Sequence, residues 1–197
     1  MSLAKAIVRF GLWGLIVLVL FACPATHALA ADDAWALLKK PGHVVLLRHS
    51  NAPGSQTESN DMNFKDCSIQ RNLDADGKAQ AARIGDAFRK HGIAKLQLIA
   101  SQYCRAIETA KLTRPGPVSE NPVLNLVYIA DLFAKNAALK KSVELIRKIP
   151  PNQLTMLVTH VGNIQAIAST SLESGEMVVV HLDKSGAVVV DGKITLP

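Results

Sequence analysis

The chain has 197 residues, of which 49% are apolar and 19% charged, with a formal net charge of +6. Without its first 30 residues it keeps 167, with 20 basic and 16 acidic side chains, enough for one domain with a proper core. That mild basic excess suits an anionic substrate. With no binding motif, internal repeat or low-complexity tract beside it, the composition excludes a nucleic-acid-binding or repeat protein.

In chain order, Lys5 and Arg9 form a basic head, Phe10 to Ala22 is an almost unbroken apolar run, and Ala28-Leu29-Ala30 ends the segment with small residues. This pattern predicts a secretory signal peptide cleaved after Ala30. The run falls short of the roughly 20 apolar residues of a membrane-spanning helix. Two alternatives stay open: an uncleaved anchor, and a lipoprotein signal in which Cys23 of Leu20-Phe21-Ala22-Cys23 carries the lipid, a pattern that Phe21 fits poorly. The expected organisation is a signal peptide over 1–30 and one domain over 31–197, placed in the periplasm or secreted. Contact with a membrane is expected only through that leader or lipid.

Asp32 to Lys40 reads as a short helix, and His43 to Leu47, after Pro41-Gly42, as a strand buried on both faces. Ser50 to Asn72 is polar and predicts a long loop, of the kind that often carries function. Asp74 or Asp76 caps a helix reaching about His91, with Ala81, Ile84 and Phe88 on one face and Gly92 as its stop. Leu96 to Ala100 is a second buried strand, and Ser101 to Leu112 a turn entering a helix. Arg114 to Asn125 holds three prolines and reads as irregular. Leu132 to Lys148 is helical with Leu139, Val143 and Ile146 as its stripe, ended by Pro150-Pro151. Leu154 to Val158 is a third buried strand, and Gly162 to Ser169 the start of a helix. Glu176 to Leu182 and Ala187 to Ile194 alternate around Asp183-Lys184-Ser185-Gly186, the pattern of a β-hairpin. The fold expected is α/β: a three-layer sandwich whose mostly parallel central sheet is flanked by helices, with a C-terminal hairpin.

Three of these strands run straight into reactive residues: Arg48-His49-Ser50-Asn51, then Ser101-Gln102-Tyr103-Cys104-Arg105, then Thr159-His160-Val161-Gly162-Asn163. If the strands are parallel neighbours, Arg48, His49, Arg105 and His160 converge beyond their carboxyl ends, where such folds bind ligands. Two guanidinium forks and two imidazoles make a pocket for a dianion, with a neutral imidazole as nucleophile toward phosphorus. A metal ion on His49 and His160 is disfavoured by the adjacent arginines. His43, His91 and His181 read as structural or surface residues.

The Arg48-His49 pair, the Ser101, Arg105, Thr109, Ala110 element, the strand ending in Thr159-His160 and the Leu73, Gly77, Gln80-Ala81 helix start occur in this order. Together they resemble the histidine phosphatase, or phosphoglycerate-mutase-like, superfamily, in a small secreted form, over nearly the whole chain after Val44. The resemblance implies that His49 attacks phosphorus and becomes phosphohistidine, that Arg48 and Arg105 hold the phosphoryl oxygens, and that His160 stabilises their charge. Water then releases phosphate, and no metal or organic cofactor is needed. The expected function is hydrolysis of a phosphate monoester or phosphoamidate, on a small phosphorylated substrate or a phosphorylated envelope component. The alternatives are a non-catalytic binder of phosphorylated glycan or lipid, and a phosphomutase.

The chain departs from the family at Ser50, usually Gly, and at Val161, where many acid phosphatases carry Asp. It departs again at Leu124-Asn125-Leu126, where the mutases have an acid. That leaves Asp131 and Glu120 as candidate general acids by proximity alone. Arg71, Asn51 and Asn163 are candidate substrate contacts; the bland reading is a turn cap for Arg71 and local backbone bonds for the amides. Cys67 and Cys104 flank the same site, which favours a disulfide in an oxidising compartment over two separate buried thiols.

Overall fold

The computed structural model describes residues 31–55, 58–59, 61–113, 117–127 and 132–196. The expected leader, Cys23 within it, and Asp131 lie outside the described residues. In chain order the elements are α1 (Ala31–Leu37), β1 (Val44–Arg48), α2 (Ala75–Lys90), β2 (Gln97–Ala100), α3 (Cys104–Thr113), β3 (Val118–Glu120), α4 (Leu132–Arg147), β4 (Thr155–Thr159), α5 (Val161–Ala168), β5 (Met177–Leu182) and β6 (Val188–Ile194).

The strands form one sheet in the order β3-β2-β4-β1-β5-β6. From β3 to β1 neighbours are parallel, and β5 and β6 add an antiparallel edge. Alternation along β1 explains why its sequence is apolar throughout. Val45 and Leu47 enter a core shared with Trp35, Ile84, Phe88, Ala106 and Ala110. Val44 and Leu46 enter the opposite core with Leu124, Ile146, Ile164 and Ile167. With α1, α2 and α3 on one face and α4 and α5 on the other, the molecule is the expected three-layer sandwich.

Helix α2 starts where Asp74 accepts a hydrogen bond from Gly77 N at 2.7 Å. Gly77 is required there, because a Cβ would lie 2.0 Å from the carbonyl oxygen of Asn51. The loop that follows His49 therefore rests on the first turn of α2. On the buried side of α4 are Ala138, Ser142 and Ile146, whereas Leu139 and Val143 are only half-buried. The expected stripe is thus rotated by one residue at two of its three positions.

The stretch expected to be irregular, 114–125, contains β3 and a 3-10 turn over Pro122–Leu124. Pairing with β2 overrides the local signal, since Leu98, Ile99 and Ala100 oppose Val118, Ser119 and Glu120. Pro117 and Pro122 bracket this edge strand and cost it no ladder N–H. Among the described residues no helix is long and apolar enough to cross a membrane.

Candidate active site

Because β4 lies between β1 and β2 and runs parallel to both, the three reactive segments leave the sheet at one edge. The ladder continues one residue past the strands: His49 N donates to Thr159 O at 3.0 Å, and Ser101 N to Val158 O at 2.9 Å. Backbone pairing thereby sets His49 beside His160, with ring centroids 5.2 Å apart.

Hydrogen bonding selects a tautomer for each ring. Nδ1–H of His49 donates to the Ser50 carbonyl at 2.8 Å, and Arg105 Nε donates to its Nε2 at 3.2 Å. A guanidinium only donates, so Nε2 carries the lone pair and His49 is neutral. The same argument applies to His160. Its Nδ1 faces Arg105 Nη2 at 3.4 Å, and its Nε2 lies 2.7 Å from Ser101 Oγ, so Nε2–H donates to the serine. Burial pushes the His49 pKa down to about 3, helped by the charges of Arg105, Arg48 and Arg71 and opposed by the Ser50 carbonyl. Burial likewise holds His160 well below its ordinary value, with His49 and the same three arginines adding to it.

Arg105 is fully buried at the start of α3. Its Nη1 donates to Glu58 Oε1 at 2.7 Å, and its guanidinium lies 4.5 Å from the centre of the Tyr103 ring. Burial pulls its pKa down, and Glu58 pulls it back up. Glu58 also accepts from Arg71 N at 2.9 Å and from Arg71 Nε at 3.5 Å, so one buried carboxylate ties two arginines together. Arg48 stands on the other side of His49 in the chain. Its Nη1 donates to Leu172 O at 2.6 Å and lies 3.9 Å from the exposed Glu173 carboxylate. Its Nε, like Ser50 Oγ, is buried without a hydrogen-bond partner among the described residues.

Cys67 and Cys104 form a disulfide, which fastens the long loop to the first residue of α3. Gln70 reinforces the link, accepting from Cys104 N at 2.9 Å through its side-chain oxygen. Ser50, in place of glycine, is accommodated without strain: among the described residues Ser169 is the only non-glycine with positive φ. The Ser50 N–H donates to Thr109 Oγ1 at 3.0 Å, which gives the threonine of the α3 element a role in shaping the loop.

The remaining candidates are placed as follows. Arg71 stands with the cluster through Glu58. Asn51 is exposed, and its amide donates to Asp74 at 3.3 Å. Asn163 is buried, its Nδ2 donating to Asn125 O and its Oδ1 accepting from Val127 N. Both amides are thus engaged in holding the protein's own loops. Glu120 is exposed at the end of β3, on the wall of a groove of about 960 Å³ lined also by Lys65, Lys78, Lys111 and the disulfide. Asn125, at the position where mutases carry an acid, bonds Gln102 instead, through both its amide oxygen and its amide nitrogen.

Glu58 was not legible in the sequence. It is one carboxylate in a polar loop, and only the loop's return across α3 gives it Arg105 as a partner. Ser101 and Thr109 were visible as members of a motif, without the bonds that explain them.

A sequence profile of the Histidine phosphatase superfamily (branch 1) matches residues 44–125. A comparison with curated protein sequences yields no significant match. Among solved structures, the protein histidine phosphatase SixA complexed with tungstate is similar at a TM-score of 0.54 and 14% identity, over 78% of this chain and 96% of that one. A mycobacterial glucosyl-3-phosphoglycerate phosphatase complexed with VO3 gives 0.57 and 17%, over 76% and 97%. A phosphoserine phosphatase variant from Entamoeba histolytica in complex with phosphoserine gives 0.51 and 13%, over 78% and 96%. At these identities the likeness is one of fold.

Proposed function

On the profile match over residues 44–125, we propose that the chain is a member of the histidine phosphatase superfamily and an exported phosphatase that hydrolyses a phosphate monoester or phosphoamidate through phosphohistidine on His49. The observation that carries this reading is the neutral His49 ring, with Nδ1–H fixed on the Ser50 carbonyl and the Nε2 lone pair held beside a buried arginine. Nε2 attacks phosphorus in line. The N–P bond forms as the bond from phosphorus to the leaving group breaks, and the leaving group departs with a proton. Water then attacks the same phosphorus, the N–P bond breaks, and phosphate leaves with Nε2 restored.

Arg48, Arg105 and Arg71 supply positive charge to the transferring oxygens, and His160 adds a contact from the facing side. The unpartnered Arg48 Nε and Ser50 Oγ are donors that ligand oxygens would satisfy. The proton donor is Asp131 or Glu120; Glu120 lines the groove beside the disulfide. The substrate is a small phosphorylated compound or a phosphorylated envelope component. The disulfide and the leader pattern support an oxidising, exported location. The bond between Asn125 and Gln102 speaks against a mutase, since no acid stands there. A non-catalytic binder of phosphorylated glycan or lipid is the remaining rival, favoured by one feature: Asn125 stands where an acid would supply the proton.

The test is p-nitrophenyl phosphate hydrolysis by the wild type beside His49→Ala, from pH 4 to 8, with and without a chelator. The expected result is chelator-resistant turnover that falls roughly 10³-fold or more in the variant, as when the nucleophile of a covalent route is removed. Equal turnover in both proteins would remove His49 from the mechanism. Phosphate binding without turnover would favour the binder.

A further inference from the structure

At the opposite end of β1 from His49, three side chains meet that the phosphatase reading does not use. The register that pairs Val44 with Val180 sets His43 opposite His181, and their ring centroids are 5.7 Å apart. Asp191 joins them by way of an irregularity in β6. Val179 opposes Gly192 and Val180 opposes Val190, so Asp191 is the extra residue of a β-bulge. A bulge re-aims the side chain it carries. Here it brings Asp191 Oδ2 to 2.7 Å from His181 Nδ1 and 3.6 Å from His43 Nε2. One potential ligand atom from each residue lies within 4.8 Å of the other two. The side chains of His43 and Asp191 are only 13% and 16% exposed.

The far nitrogen of His43 is also committed. Its Nδ1 lies 3.3 Å from the Lys40 carbonyl oxygen. An oxygen acceptor there places the hydrogen on Nδ1 and leaves the Nε2 lone pair facing a carboxylate. Two electron-rich atoms held face to face call for a proton or a cation between them. A backbone carbonyl on the distal nitrogen is also the support that accompanies metal-bound histidine.

We propose that His43 Nε2, His181 Nδ1 and one Asp191 oxygen bind a first-row divalent transition-metal ion, with Zn²⁺ as the reference, and that water completes the coordination. Two imidazoles with one carboxylate suit zinc, copper or nickel rather than magnesium or calcium, which prefer all-oxygen sites. Ligand bonds of about 2.0–2.2 Å at tetrahedral angles put neighbouring ligand atoms roughly 3.3 Å apart. The separations of 2.7 and 3.6 Å from Asp191 bracket that value, and all three ligand atoms already lie within 4.8 Å of one another, so side-chain rotations bring the set to an ion. Binding requires the neutral His181 ring to carry its hydrogen on Nε2, so that Nδ1 offers its lone pair to the ion. His43 precedes His49 by six residues on a strand rising about 3.3 Å per residue, so the ion sits about 20 Å from the phosphoryl site. Its role is to clamp the start of β1 to the edge strand β6, with no part in the chemistry.

The experiment is calorimetric titration of the chelator-stripped full chain with ZnCl₂, with Co²⁺ absorption as a spectroscopic probe of the ligand set. The expected result is one Zn²⁺ per chain and a melting temperature that rises with zinc. His181→Ala and Asp191→Asn should each weaken binding at least tenfold and lose the cobalt bands, while p-nitrophenyl phosphate hydrolysis is unchanged. Circular dichroism establishes that the variants are folded, and His43→Gln serves as the same test if either is not. No binding by the wild type at micromolar zinc would overturn the proposal, as would unchanged binding in folded variants.

Discussion

At the scale of single residues, the charge state of two imidazoles governs how the protein answers to pH. His49 and His160 are neutral in the fold, whereas in the unfolded chain each titrates near pH 6.5. Their folded values lie lower, so the unfolded chain binds more protons as pH falls. Their contribution is complete above pH 6.5 and is lost progressively below it, for His49 down to about 3. Urea unfolding should show stability lower by about 2 kcal/mol for each ring at pH 5 than at pH 7. Conversely, kcat/KM should show no acid limb from His49 between pH 8 and 4; a limb that disappears when His160 rather than His49 is replaced would reassign the roles. Glu58→Gln gives a second check. It removes the carboxylate that opposes an incoming dianion at Arg105. Inorganic phosphate should then bind more tightly, while urea unfolding shows a loss of about 1–3 kcal/mol from the broken charge pair. The convergence of His49, Arg105 and His160 could be read from the sequence because His49 and His160 follow directly on apolar strands and Arg105 lies five residues beyond one. Glu58 could not, because its partner lies 47 residues away and only the loop's path joins them.

At the scale of elements, the long loop is fixed to the scaffold at two places. The disulfide closes a loop of 37 residues. Cys104→Ser should therefore cost about 4 kcal/mol on the chain-entropy account, read as a lower denaturation midpoint, and should raise KM as Glu58 and Arg71 lose their position. At the other end, Gly77→Ala puts a methyl group against the Asn51 carbonyl, where neither backbone can yield cheaply. Expected are a lower melting temperature and a lower kcat, since the displaced turn carries the Ser50 carbonyl that orients His49. The limits of α2 were legible within a residue or two because Asp74 and Gly92 are local signals, whereas α1 ends three residues before the expected Lys40. Strand β3 was not, since its three residues form a strand only through β2, and the prolines beside it argue locally for a loop. Asp191 was hidden for the same kind of reason: alternation along β6 gives no sign of a bulge, so two histidines that looked unrelated share a partner.

At the scale of the whole molecule, the alternation of apolar strands and amphipathic helices was enough to give a layered α/β fold. What alternation leaves open is the order of strands within the sheet, because β1, β2 and β4 are all short, mostly apolar runs of four or five residues. That order has a consequence for how the chain acquires its site. His49 follows β1, and Arg105 lies in α3, which follows β2; the two strands do not touch, β4 fills the space between them, and its residues pair with β1 partners about 110 positions earlier. Folding must therefore wait for a late segment to insert into the middle of an early one, the sort of distant contact that slows folding. A fragment ending before Thr155 would hold both residues and yet assemble no site. It would present two raw strand edges and should appear in light scattering as growing aggregates. A chain that crosses a membrane unfolded, N-terminus first, would thus remain inert until nearly all of it had arrived.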